Sequence, residues 1–269
     1  MKNESNRTVP VTHLGITAWS VPWDADELCR RAEKIGLEAL HLDLGSGDDG
    51  YEMTRPENRE AWLERTVRHG LRIASLALND LCGHGFTAGL RDLRSERALE
   101  TLKRGAETAA AMRIPTISVP HFFDNRITDG EAFRASAEAL RLLCDLAEDA
   151  GTLICTENVL GVADLERLWD AVDRKNLRLM FDTQNYSAMG GPDAAEVFVQ
   201  WQKYCGPYIH VKDGIRPGLG DRCLGKGDSD FPKTLTAVQD TGYTGDLIME
   251  SNYADEETLR EDIELLRQY

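Results

Sequence analysis

From His13 onward, short apolar runs alternate eight times with longer segments of helical spacing, and few folds satisfy that rhythm. The runs cover residues 13–19, 39–44, 72–78, 115–120, 152–157, 177–182, 208–213 and 246–251. Most are rich in Ile, Leu, Val and Thr without strict alternation, as strands covered on both faces should be. Amphipathic helices are expected between and after them, over residues 25–35, 56–69, 96–112, 130–150, 163–172, 194–204, 232–241 and 256–268. Gly36, Gly70, Gly151 and Gly242 stand where left-handed caps would stop four of these helices.

Eight strand–helix units in about 250 residues match a closed (β/α)8 TIM barrel, an α/β architecture, better than an open doubly wound sheet. Neither a G-x-G-x-x-G nor a G-x-x-x-x-G-K-[ST] turn follows the first run, so the phosphate cradle of a nucleotide fold is not signalled. A single catalytic barrel domain is expected over residues 11–269, with residues 1–10 a flexible N-terminal extension. The glycine-rich stretch 214–227 follows the seventh run and reads as a functional loop.

Charge narrows the partners. Lys and Arg number 31 against 46 Asp and Glu, and the formal charge of −15 repels nucleic acid and anionic lipid. No apolar run approaches the roughly 18 residues of a membrane span, and residues 1–10 lack the apolar centre of a secretory signal. A soluble cytoplasmic protein is expected, with no nucleic-acid or membrane partner. The six cysteines are scattered without a C-x-x-C pair and are expected to be reduced thiols.

In a barrel of this kind the active site forms at the C-terminal strand ends. There the polar residues are lopsided. The fifth run ends in Glu157, the sixth in Asp182, the seventh carries His210 before Lys212 and Asp213, and the eighth reaches Glu250. Neighbouring strands lie about 4.8 Å apart, so four such side chains can converge on one ion through bonds of about 2.0–2.3 Å. One imidazole and three carboxylates form a hard donor set that favours Mn²⁺ or Mg²⁺, with Co²⁺ or Zn²⁺ also accommodated. A single acid at a strand end is as easily satisfied by a helix N-terminus or a lysine; four on successive strands point to a metal.

The segments IHVKDGIRPG, LGKGDSDF, PKTLTAVQDTGYTG and DLIMES, with FDTQNYSAMG before them, resemble stretches of the xylose-isomerase-like sugar isomerases and epimerases. L-xylulose 5-phosphate 3-epimerases and ketose 3-epimerases are the most similar. The resemblance follows the order of elements along the chain and is most specific in its second half. It implies that Glu157, Asp182, His210 and Glu250 are metal ligands, that Mn²⁺ heads the list of ions, and that the substrate is a small sugar or sugar phosphate. Two positions depart from the pattern: Asn185 stands where many ketose 3-epimerases carry His, and Asp43 where the second strand often ends in Glu. Contacts with substrate hydroxyls are expected to differ accordingly.

Removing a proton from a carbon beside a carbonyl leaves an unstable carbanion, which a chelated divalent ion spreads as a cis-enediolate. Glu157 and Glu250 are then the catalytic base and acid on opposite sides of the substrate. Proton exchange across two faces epimerises, and relay to the next carbon isomerises. The same stabilisation serves a lyase on a keto sugar, by decarboxylation, dehydration or carbon–glycoside cleavage, and this is the alternative reaction class. A nuclease of the endonuclease branch would need more His ligands and a basic face, and a non-catalytic barrel would be expected to have lost a ligand.

The expected substrate-binding residues are Asn185, Arg216, Lys212 and His121. Arg216, six residues after His210, resembles the arginine that holds substrate oxygens in ketose 3-epimerases, and Lys212 and Arg222 would add charge for a phosphate. Lys212 and Asp213 also admit a supporting role, paired with each other or holding the His210 tautomer. Trp19, Trp23 and Phe122 would wall the sugar carbons, His84 would help cover them, and Asn79 and Asn158 would bind hydroxyls. His41 offers a weaker case. A homo-oligomer is compatible with the resemblance.

Overall fold

The computed structural model describes residues 13–268, so the extension expected at residues 1–10 lies outside the described residues. Among them are eight parallel strands: β1 (Leu14–Thr17), β2 (Ala39–Asp43), β3 (Arg72–Ala77), β4 (Thr116–Pro120), β5 (Leu153–Glu157), β6 (Leu177–Met180), β7 (Tyr208–Val211) and β8 (Asp246–Met249). Each falls inside its apolar run. They pair in the order β6-β5-β4-β3-β2-β1-β8-β7. Between β6 and β7 the ladder gives way to single bridges, Leu179 with Cys205 and Asp182 with His210. The His210 N–H donates to Phe181 O at 2.9 Å there. This seam closes the barrel and sets Asp182 beside His210.

The helices are α1 (Ala25–Ile35), α2 (Pro56–Arg68), α3 (Glu96–Met112), α4 (Gly130–Ala147), α5 (Val162–Val172), α6 (Asn185–Ala188), α7 (Ala194–Trp201), α8 (Phe231–Asp240) and α9 (Glu256–Arg267). Aspartates start several of them: Asp24 accepts from Glu27 N at 2.8 Å and Asp129 from Ala132 N at 2.9 Å. Gly36, Gly70, Gly151 and Gly242 all take φ between 63° and 77°, so the glycine stops act as left-handed turns. Three details differ from the sequence pattern. α4 ends at Ala147, three residues early, and residues 202–204 tighten into a 3₁₀ turn instead of extending α7. The single turn α6, right after the sixth run, was hidden inside a segment with no helical period. No helix among the described residues is long and apolar enough to cross a membrane.

Because successive strand residues face opposite ways, each strand divides its side chains between two cores. Leu40, Leu42, Ile117, Ile209 and Leu247 join the large cluster shared with the helices. Ala39, Cys155, Met180, Tyr208 and Ile248 form a smaller one, which alternation places inside the barrel. Gly15 makes room for it, since a Cβ there would stand 2.5 Å from Ile248 Cδ1. Two residues farther along those same five stretches come His41, Glu157, Asp182, His210 and Glu250. The polar site is therefore the next layer of the barrel interior, resting on a packed apolar floor.

Candidate metal and catalytic site

Glu157, Asp182, His210 and Glu250 each offer a ligand atom, and these atoms all lie within 4.8 Å of one another. Donors on opposite sides of one ion at about 2.1 Å stand about 4.2 Å apart, so a contraction of a few tenths of an ångström closes the set on a cation. Two atoms show that the residues fit such an ion. His210 Nδ1 and Asp182 Oδ2 are buried and make no well-formed hydrogen bond; Nδ1 faces Glu250 Oε2 at 2.9 Å and Oδ2 the Lys212 ammonium, ion-pair contacts that a cation seated between the donors would replace. Among the described residues Lys212 brings the one ammonium to the cluster: Nζ lies 3.2 Å from Asp182 Oδ2 and donates to Glu250 Oε2 at 2.7 Å.

Every donor is held from behind. Asp182 Oδ1 accepts from the backbone of Gln184 at 2.8 Å and Asn185 at 2.7 Å, the start of α6, which leaves Oδ2 for the cluster. Asn185 Nδ2 donates to Glu157 Oε1 at 2.7 Å. The Trp19 indole donates to Glu250 Oε1 at 3.1 Å. His210 Nε2 lies 2.9 Å from His41 Nδ1, and His41 Nε2 lies 3.2 Å from Ser118 Oγ. Sequence reasoning placed Trp19 only as an apolar wall, gave His41 little weight and missed Ser118. It also offered Asp213 or Lys212 as the support of His210. Instead Asp213 clamps the loop that follows it, accepting from Gly214 N, Gly227 N and Ser229 Oγ at 2.9, 2.9 and 2.6 Å.

Burial and charge pull these groups in different directions. Burial pushes the Glu157 carboxyl up, against the pull of His210. Burial alone would raise Glu250 too, but His210 and Lys212 outweigh it and hold the carboxyl well below the usual range. Lys212 is desolvated yet surrounded by Asp182, Glu250 and Glu157, which keep it charged. Burial drives His41 well below its ordinary value, and His210 adds to the effect.

A cavity of about 230 Å³ opens on the cluster, with Glu157, Lys212 and Glu250 in its wall beside Trp19, Phe122, Met189 and Leu219. Three amides also face it: Asn79, Asn185 and Asn252. Asn79 Nδ2 donates to Asp43 Oδ2 at 2.7 Å and Asn252 Nδ2 to Leu219 O at 3.0 Å, while Asn185 is spent on Glu157. An amide that donates once keeps a second N–H and an acceptor oxygen, the two functions that sugar hydroxyls can use.

Other expected residues lie elsewhere. Arg216 is more than half exposed, its Nε 3.1 Å from Asp228 Oδ2, and it lines a separate depression with Lys233 and Asp228. Arg222 pairs with Asp221 at 3.1 Å. His121 is buried edge-on against Phe86, ring centroids 5.6 Å apart, with neither ring nitrogen bonded. Trp23 stacks under the Arg31 guanidinium, 4.8 Å from the ring centroid. His84 stands 3.8 Å from Asp80, and Asn158 turns back on Thr156 Oγ1 at 3.1 Å. All six cysteines are free thiols.

Residues 29–269 match the family described as xylose isomerase-like TIM barrel. A 2-epi-5-epi-valiolone 7-phosphate 2-epimerase from an Actinoplanes species is 29% identical over 257 residues, 94% of this chain and 93% of that protein. An inosose dehydratase from Lacticaseibacillus casei is 24% identical over 88% of this chain and 89% of its own length. A D-allulose 3-epimerase structure from Methylomonas sp. superposes with a TM-score of 0.74 at 18% identity, covering 96% of this chain and 97% of its own, a likeness of fold. With its eight-stranded ring, its strand-end donors and this match over nearly its full length, the chain belongs to the xylose isomerase-like TIM-barrel family.

Proposed function

We propose that the chain is a divalent-metal-dependent epimerase or isomerase of a small polyhydroxylated ketone, with Glu157 and Glu250 moving the proton. One observation carries the reading: two carboxylates flank a single imidazole and line the same cavity. His210 Nδ1 lies 3.9 Å from Glu157 Oε1 and 2.9 Å from Glu250 Oε2. When bound by Glu157, Asp182, His210 and Glu250, Mn²⁺, or Mg²⁺, Co²⁺ or Zn²⁺ in its place, would draw charge from the substrate's carbonyl and adjacent hydroxyl oxygens and acidify the C–H between them.

The protein's own groups do the rest. One carboxylate takes the proton and the other returns one from the opposite side, which inverts the carbon. The Asn185 amide and the Trp19 indole each tie one oxygen of these acids, so neither side chain can swing away from the reacting carbon. Phe122, Met189 and Leu219 supply apolar contact for the carbon chain.

The cavity offers neutral amides and carboxylates and little free positive charge. Among the described residues that line it the one cation is Lys212, which already serves two carboxylates, and it stands beside Glu157, Glu250 and three neutral amides. That balance favours an uncharged sugar or keto-cyclitol over a sugar phosphate.

Free and phosphorylated ketoses and keto-inositols, incubated with the Mn²⁺-loaded protein in deuterated water, test both parts. Deuterium at the carbon beside the carbonyl, without loss of water or carbon dioxide, is expected for an unphosphorylated substrate. Elimination would move the chain to the lyase class, and no exchange with any substrate overturns the reading. Preference for a phosphate would shift attention to Arg126, whose guanidinium sits on the Met189 carbonyl at 2.9 Å.

A further inference from the structure

We propose that His41 is a positioning residue for the metal site: its Nδ1 accepts the His210 Nε2–H bond and so keeps the Nδ1 lone pair of His210 turned toward the cation. The inference rests on the metal reading above. A neutral imidazole has one donor and one acceptor nitrogen, so His210 can offer Nδ1 to an ion only if Nε2 carries the proton. That buried N–H then needs an acceptor. His41 Nδ1 lies 2.9 Å away, on a side chain with no solvent exposure.

The direction of this bond fixes the next. With Nδ1 accepting, the proton of His41 sits on Nε2, 3.2 Å from Ser118 Oγ, where the hydroxyl oxygen accepts it. Ser118, His41 and His210 come from β4, β2 and β7, so three strands of the barrel lock one tautomer. The same ring packs edge-on against Trp19, centroids 5.1 Å apart, and the Trp19 indole holds Glu250. One side chain thus braces two of the four donors. A carboxylate in this place would add a fourth acid to a cluster that already sets three against one ammonium, whereas an imidazole orients His210 without further charge.

Two measurements test this. Long-range proton–nitrogen correlation spectra of the histidine rings in the unaltered metal-free protein should show a proton on His210 Nε2, one on His41 Nε2 and none on His41 Nδ1. A proton on His41 Nδ1, or a His210 ring protonated at Nδ1 alone, overturns the proposal. Cobalt binding, followed by its visible absorption, reads the consequence. His41→Phe keeps a ring but removes the acceptor, and should weaken Co²⁺ binding by about 10- to 100-fold. His41→Asn, which offers a carbonyl near the Nδ1 position, should recover most of that loss. A folded His41→Phe that binds Co²⁺ as the native chain does also overturns the proposal; if that variant does not fold, the proton positions decide. If the native protein binds no Co²⁺, the metal reading falls, and the spectra then report separately whether the hydrogen-bond chain exists.

Discussion

From β5 to β8 each strand end brings one donor to the cluster, whereas from β1 to β4 the inner positions bring Trp19, His41 and Ser118, which bond the donors or one another. The difference separates two tasks. One half of the barrel supplies the lone pairs that would touch an ion or a reacting proton; the other half aims them. Aiming is worth having because a carboxylate or imidazole on a free rotor spends most of its time pointing elsewhere. The floor of Ala39, Cys155, Met180, Tyr208 and Ile248 beneath both halves keeps the strands from shifting relative to one another.

If the division holds, substitutions in the donor half should cost the most. Glu157→Gln and Glu250→Gln should each lower turnover by about 10³-fold or more while leaving the thermal midpoint nearly unchanged. Steady-state rates beside calorimetry check this, and near-native turnover in both variants would mean that the donor half does not carry the chemistry.

His121 lies in the supporting half, and its effect should appear in stability. Burial holds its pKa down at about 4, below the 6.5 of a free histidine. An unfolded chain therefore takes up this proton more readily than the folded one. The stabilisation is complete above about pH 6.5 and is lost as the pH falls through about 4, a swing of about 3 kcal/mol. Urea midpoints across that range should fall less for His121→Phe than for the native protein; parallel curves would refute the assignment.

Trp19→Phe keeps the ring wall and removes the hydrogen bond to Glu250. A hydrogen bond to a charged group contributes about 1.5 kcal/mol, so kcat should fall by about tenfold with little change in KM. A rise in KM alone would return Trp19 to the role of a sugar wall. The smallest effect is expected at Arg216, which faces Asp228 outside the cavity. Arg216→Gln should alter kcat/KM by no more than about twofold. A large loss would mean that the loop swings inward when substrate binds.

The donor half was legible in the sequence because a parallel barrel gathers its strand ends on one face, so residue type and position within a run suffice to find Glu157, Asp182, His210 and Glu250. The aiming half was not. In ALHLDL the leucines on either side of His41 join the outer core, which marks His41 as inward-facing, but its partner stands 169 residues away. Ser118 in TISVP looks like any small strand residue. Trp19 carries its polar N–H on a large apolar body, and nothing local says which end is used. Arg216 is pointed to by resemblance to the arginine of ketose 3-epimerases, yet the loop that carries it follows no period. Its ion pair with Asp228, twelve residues along, is visible only in three dimensions.

Crystals grown with Mn²⁺ and measured at the manganese absorption edge would show whether the four donors share one ion. One anomalous peak is expected, coordinated by Glu157, Asp182 Oδ2, His210 Nδ1 and Glu250 at about 2.0–2.3 Å. A peak bound elsewhere, or four groups that stay apart with nothing between them, would contradict it.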